Sequence, residues 1–410
     1  MRTILSQLQS LPIFRLSLGS KELFHSNFLE FLWDIDKNNR VLFIKIINKL
    51  LPDAQKLKED SDYSNHELGR EKENFDICLF HYEIHKTKNN KGQKHIVYDL
   101  IIENKVKSIP LIQQLKEYEV KVKNNKWNSK CSTSYLLLSL VDDFADKQSI
   151  QDDGNWAIAN YEDLKTAIAA EKSNWTGEVG DIYIEDYCTF IGLMHQLQKA
   201  ILQNFEQTLL FQDVAEFKEY RLHDLYIKLR CCKFLMLLKD KLTQRGMSPG
   251  VVSFIKNYKD IRNNSTSPTP GVYLNYNIFN GEGQAAAWIY TDNTANGDIH
   301  EIVLQGNQYR HGINSLRYKL EGVDKIRSQQ NIWDELHKDS FDANFLDSPK
   351  KPDKPIKGRK TPFNGYDSDY IYRHDDIVDK VPVSQLLDMM ADDVVKVYKH
   401  FNKNCSINIV

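Results

Sequence analysis

IIENKVKS, residues 101–108, continues an apolar run from Leu100 and decides how the first part of the chain reads. Apolar residues lead directly into Glu103, Asn104 and Lys105. On a strand, neighbouring side chains point to opposite faces, so Glu103 and Lys105 share one face and Asn104 takes the other. A carboxylate and an ammonium at the end of a buried strand are rarely left without a partner or a task. A second carboxylate, Asp76, stands upstream in ENFDICLFHYEI (73–84), which also reads as a strand. The polar, glycine-containing stretch HKTKNNKGQ (85–93) joins it to KHIVYDLIIENK (94–105) as a long hairpin connection.

The flanking segments extend this hairpin into a layered fold. Residues 22–51 read as one or two amphipathic helices, with Phe24, Phe28, Phe31 and Leu32 at helical spacings and Pro52 as the stop. A polar stretch, 53–74, follows. Leu111, Leu115, Tyr118 and Val122 give 111–125 a helical period, and SYLLLSLV (134–141) has the continuous apolar run of a strand buried on both faces. WAIANYEDLKTAIAA (156–170) reads as a short strand entering a helix. Helix, hairpin, helix, strand, strand, helix implies an α/β (α+β) core, a mixed sheet flanked by helices.

The chemistry follows from the residue types. Two nearby carboxylates repel, and a divalent cation relieves that repulsion while activating a phosphate and water for phosphodiester hydrolysis. Oxygen ligands favour Mg²⁺, with Mn²⁺ as a substitute. Lys105 beside them would orient or deprotonate the attacking water, or stabilise developing negative charge. Standing alone, Glu-x-Lys reads more readily as a surface ion pair.

Its surroundings change that reading. The chain resembles the PD-(D/E)XK nuclease superfamily, in particular a bacterial family with a Glu-x-x-x-Ser-x-x-Leu pattern on its first helix. Here ELFHSNFLEFLWD carries Glu22, His25, Ser26, Leu29 and Trp33, NFDICLF carries Asp76, and IIENKVKS carries Glu103 and Lys105. QLKEY supplies Gln114 and Tyr118 where relatives have Gln-x-x-x-Tyr, and WAIANYEDL matches the passage that ends the core. The resemblance covers residues 14 to about 170. The Pro of the superfamily's name is absent, and Glu-Asn-Phe precedes Asp76 in place of a small residue and compact turn.

The resemblance implies a restriction-endonuclease-like core in which Asp76 and Glu103 bind Mg²⁺ and Lys105 handles the nucleophile. Glu22 would complete the metal site, with Glu30 as a competitor for that role and a solvated helix-start carboxylate as the plain alternative. Gln114 and Tyr118, one turn apart on a helix, would hold Lys105 or bond a phosphate. His25 and Ser26 read as supports of the helix. DNA cleavage, in defence against foreign DNA, is the implied function; a nucleic-acid-binding or regulatory protein that keeps the fold without cleavage is the alternative.

Charge gives this modest support. The whole chain has 410 residues, a formal net charge of −2 and 27% charged residues, so no global field draws it to nucleic acid. Locally, residues 81–130 are strongly basic and 142–190 strongly acidic. Lys107, Lys121, Lys123 and Lys126 are candidate phosphate contacts, and Trp127 either stacks on a base or anchors its loop. Expected partners are therefore nucleic acid, most directly DNA, with a homodimer left open.

The remainder of the chain reads as a helical segment, 176–248, and an α+β region, 249–410, after a nuclease core at 1–175. Phe190, Met194, Leu197, Ile201 and Phe205 form one stripe; Leu222, Leu225, Leu229 and Cys232 begin another. His195 and His223, within these stripes, read as structural. Val272, Leu274, Tyr276 and Ile278 alternate as a strand, while QAAAWIYTD and HEIVLQG flank an Asn296-Gly297 turn. A basic, Pro-rich loop at 347–362 is a second candidate DNA contact, and an amphipathic helix, 383–402, closes the chain. Cys78, Cys131, Cys188, Cys231, Cys232 and Cys405 form no CxxC pair, which suits a reducing compartment rather than a zinc finger or disulfide framework. No signal peptide or membrane-length apolar run appears, so a cytoplasmic location is expected.

Overall fold

The computed structural model describes residues 1–17, 21–36, 40–86, 92–106, 110–125, 132–144, 146–174, 178–211, 214–255, 270–279, 281–290, 298–314, 334, 336–348, 351, 353, 364–366, 370–378 and 380–401. It divides into two compact units, Met1–Ile201 and Leu202–Val410. The helices expected over 176–248 fall on both sides of that division. No helix among the described residues is long and apolar enough to cross a membrane.

The first unit is built on a five-stranded sheet in the order β1 (His66–Lys72), β2 (Phe75–Lys86), β3 (Gly92–Lys105), β4 (Ser134–Ser139), β5 (Trp156–Asn160). The first three strands are antiparallel and the last three parallel, so the sheet is mixed, as the element order implied. Ile77, Leu79, Leu100, Ile102, Leu136 and Leu138 are buried, which explains why these segments read as apolar runs. The polar 53–74 stretch contains a strand that the sequence reading did not anticipate. β1 is an edge strand in which only Leu68 is buried, so it lacks the apolar alternation that would mark it.

Helices α1 (Arg2–Ser10), α2 (Pro12–Ser17), α3 (Lys21–Ile35) and α4 (Val41–Asn48) precede the sheet. α3 packs on β1, β2 and β3. α5 (Ile112–Asn124) and α6 (Lys147–Asp153) make the two parallel crossovers. α7 (Tyr161–Ala170) starts with a capping box in which Asn160 accepts from Asp163 N–H and Asp163 accepts from Asn160 N–H. α8 (Glu178–Leu202) brings Tyr187 flat against Phe28 at 3.6 Å and Phe190 against Phe14 at 5.9 Å. Phe24, Phe28 and Phe31 of α3 thus find partners on α8, while Trp33 packs on Phe43 and Tyr63. His195 bonds Asp142 at 2.8 Å and is structural in that sense.

The second unit contains α9 (Val214–Glu219), α10 (His223–Gln244) and α11 (Val383–Phe401). Its strands are β6 (Val252–Phe254), β7 (Gly271–Phe279), β8 (Glu282–Tyr290), β9 (Ile299–Gln305), β10 (Gln308–Asn314), β11 (Leu346–Asp347), β12 (Asn364–Tyr366) and β13 (Tyr370–Ile377). They run in the order β11-β13-β10-β9-β8-β7-β6, with β12 on β13. Among the described residues of this unit, only β6 and β7 pair in parallel. α10 and α11 pack on this sheet and on each other, where Lys241 and Arg245 reach Asp388 at 2.9 and 3.0 Å. The strands read at 272–278 and on both sides of Asn296-Gly297 are present, although the turn itself lies outside the described residues, as does most of the 347–362 loop. β10 and β13 were not anticipated. His223 pairs with Asp224 at 2.6 Å. Cys78, Cys188, Cys231 and Cys232 are free thiols, and Cys131 and Cys405 lie outside the described residues.

Candidate active site

The β2–β3 ladder brings the two carboxylates together. Ile77 pairs with Ile102, and one residue further along stand Asp76 and Glu103. In an antiparallel ladder, opposed residues project from the same face, so the register places both acids on one side. Asp76 Oδ2 accepts the backbone N–H of Asn104 at 2.8 Å. That amide is a partner the sequence reading missed, because only the register reveals it.

Glu103 is fully buried, and Lys105 beside it is 11% exposed. Lys105 Nζ forms an ion pair with Glu103 Oε1. The same oxygen accepts Gln114 Nε2 at 2.8 Å, and Gln114 also donates to the Tyr118 hydroxyl at 3.0 Å. Glu103 Oε2 is buried and accepts no hydrogen bond from the described residues. Burial pushes the Glu103 carboxyl up to about 7, against the pull of Lys105, and the negative charge of Asp76 raises it further. Burial, with the charge of Glu103, also raises the Tyr118 hydroxyl above its usual range.

The helix that presents Gln114 and Tyr118 is held at both ends and in the middle. Asp146 accepts Ile112 N–H at 3.0 Å at the start of α5, satisfying one of the helix's free amides. Glu119 accepts Trp156 Nε1 at 3.0 Å and Asn155 Nδ2 at 2.9 Å, which ties α5 to β5. Asn125 Nδ2 donates to the Ile96 carbonyl at 2.8 Å, tying its end to β3. Leu115 and Val122 are buried beneath it.

Asn104 takes the opposite face, as strand alternation requires. Its side chain contacts Ser26 of α3 at 3.4 Å and accepts the Tyr161 hydroxyl. His25 is buried, bonds the Tyr187 hydroxyl at 3.0 Å and lies parallel to Phe190. Burial lowers its imidazole to about 3. His25 and Ser26 therefore support the sheet from α3 and are remote from Glu103 by face.

The other expected residues are distributed differently. Glu22 falls within α3, but its side chain lies outside the described residues. Glu30 pairs with Arg70 of β1 at 2.5 Å. Lys121 donates to the Glu73 carbonyl and sits 4.8 Å above the Phe75 ring, so it packs beside the Asp76 strand. Lys123 is exposed. Lys107, Lys126 and Trp127 lie outside the described residues.

The donor set fits a hard divalent cation. It consists of carboxylate oxygens, one of them buried without a partner, next to a second acid whose charge it must share space with. Comparison with curated proteins and with solved structures gives no match. Residues 12–189 match a family model described as PD-(D/E)XK nuclease superfamily, a span that lies within the N-terminal unit and contains Asp76, Glu103, Lys105, Gln114 and Tyr118.

Proposed function

We propose that the N-terminal unit is a Mg²⁺-dependent nuclease that hydrolyses DNA phosphodiester bonds, with Mn²⁺ as a substitute. The observation that carries this reading is Glu103: buried, with one oxygen on Lys105 and Gln114 and the other without a hydrogen-bond donor. Lys105 meets only Oε1, and leaving the second buried oxygen without a partner is costly unless a further cation meets it. Asp76 and Glu103 would hold the ion, and Glu22 is the further candidate from α3. When bound there, the ion supplies positive charge to the phosphate and to the water that attacks it.

The chain's own residues supply the rest. Lys105 Nζ, anchored on Glu103, would orient the nucleophile or meet negative charge that develops on the phosphate. Gln114 fixes the Glu103 carboxylate from α5, so that the free oxygen keeps one direction. The Asn104 amide does the same for Asp76. The basic stretch at 81–130, with exposed Lys123, favours approach of a polyanion. Nuclease activity is the general character of the superfamily; DNA as the substrate, and defence against foreign DNA as its use, are our finer reading.

The test is incubation with supercoiled, linear and single-stranded DNA and with RNA, each with Mg²⁺, Mn²⁺ or chelator. Cleavage of at least one DNA form with Mg²⁺, abolished by chelator, is expected. Cleavage of RNA alone would replace the substrate, and no metal-dependent cleavage of any of them would contradict the reading.

A further inference from the structure

His66, His81 and Asp99 form a second cluster, one residue from each of the three antiparallel strands β1, β2 and β3. One ligand atom from each lies within 4.8 Å of the others. Both imidazoles converge on a single oxygen: His81 Nδ1 is 2.8 Å and His66 Nε2 3.5 Å from Asp99 Oδ2. Their side chains are 16, 24 and 22% exposed for His66, His81 and Asp99, so solvent reaches the cluster without flooding it.

This cluster is separate from the Glu103 site. Tyr63 packs on His66 at 4.8 Å, and Trp33 of α3 packs on Tyr63. The cluster thus borders the α3 side, where Asn104 also points, whereas Glu103 meets α5.

Two observations distinguish it from an ordinary polar contact. His66 and His81 are direct cross-strand partners with ring centroids 4.8 Å apart, so protonating both puts like charges side by side. The strand pairing that positions Asp99 is also irregular. Register shifts between Leu79 and Phe80, and Asp99 is the residue of β3 left between the partners Tyr98 and Leu100. Such bulges re-aim a side chain.

We propose that His66, His81 and Asp99 bind a transition-metal dication of the zinc type, with water in the remaining position, and that the ion clips edge strand β1 to β2 and β3. Two imidazoles and one carboxylate suit zinc or cobalt and disfavour Mg²⁺, which the all-oxygen pair Asp76 and Glu103 suits. Tetrahedral coordination at zinc distances separates ligand atoms by about 3.3 Å, so the His81–Asp99 and His66–Asp99 spacings of 2.8 and 3.5 Å need to change by about half an ångström or less. The edge strand that the ion would hold is the one whose sequence, HELGREK, supplies least apolar surface of its own.

The test uses the full chain carrying Asp76→Asn and Glu103→Gln, titrated with Co²⁺ in excess Mg²⁺. Calorimetry should give one equivalent of Co²⁺, with visible ligand-field bands that Zn²⁺ abolishes. Adding His81→Ala, or the isosteric Asp99→Asn, should weaken that binding at least tenfold while far-ultraviolet circular dichroism stays unchanged. Should His81→Ala fail to fold, Asp99→Asn decides. Absence of any bound equivalent, or binding that survives Asp99→Asn undiminished, would overturn the assignment.

Discussion

Gln114 Nε2 donates to Glu103 Oε1 at 2.8 Å and to the Tyr118 hydroxyl at 3.0 Å, so one amide links the helix after the strand to the strand's buried acid. Gln114 is a positioning residue. Replacing it with Ala should reduce the cleavage rate by about 10- to 100-fold, the usual cost of losing an outer-shell partner of a metal ligand. The loss should fall on kcat or on Mg²⁺ affinity, with KM for DNA little changed. Tyr118→Phe, which keeps the Gln114–Glu103 bond, should cost less. Equal activity of Gln114→Ala and wild type, at limiting and at saturating Mg²⁺, would remove Gln114 from the site.

On the other face, Asn104 accepts the Tyr161 hydroxyl and contacts Ser26. Asn104→Ala deletes this buried polar link between β3, α3 and α7. The expected destabilisation is about 1–3 kcal/mol, read as a lowered denaturant midpoint. Cleavage by the folded fraction should be retained, because the side chain points away from Glu103. An unchanged midpoint would mean that the link contributes nothing.

His25 gives a pH dependence. Burial lowers its imidazole from 6.5 to about 3, so between those values the unfolded chain binds a proton that the folded chain refuses. Stability is therefore complete above the unfolded value and falls with acidification through this window, by up to about 1.4 kcal/mol per pH unit. Unfolding midpoints at about pH 7.5 and about pH 5 should drop less in His25→Gln than in wild type. The same drop in both proteins would show that His25 is not the group responsible.

In the second unit, Asp393 is a hub of buried polar contacts. It accepts Ser340 Oγ at 2.5 Å and the Tyr309 hydroxyl, and lies 3.2 Å from His311 Nε2. Asp393→Ala should destabilise this unit by about 3–5 kcal/mol, since two buried hydroxyls lose their acceptor and His311 loses the carboxylate beside it. Differential scanning calorimetry should show the transition of this unit lowered. A thermogram identical to wild type would contradict the role given to Asp393.

What was legible in the sequence follows the same physics. SYLLLSLV announced a strand buried on both faces, and IIENKVKS announced which side chains share a face, because period-two alternation is a local property. Gln114 and Tyr118 were legible through the resemblance, as the Gln-x-x-x-Tyr of the helix that follows the strand. HELGREK was not, since an edge strand with one buried residue leaves no apolar pattern. β10 and β13 were missed for a related reason: His311, His374 and Asp375 sit at buried positions and are held by polar partners. The Asn104 amide that meets Asp76, and the meeting of His66, His81 and Asp99, depend on register between strands. Nothing local in the chain encodes that register.

Lys105 offers the most direct test of the hydrolytic site, because it touches Glu103 yet is no ligand of the proposed ion. Lys105→Ala and wild type should be compared for Mg²⁺-dependent DNA cleavage and, in Ca²⁺ or chelator, for DNA binding. Loss of positioned acid–base or electrostatic help costs about 10²- to 10⁴-fold, so cleavage should fall by at least about a hundredfold while binding stays within a few-fold. Cleavage by Lys105→Ala at the wild-type rate would contradict the assignment of Asp76, Glu103 and Lys105 as the hydrolytic site.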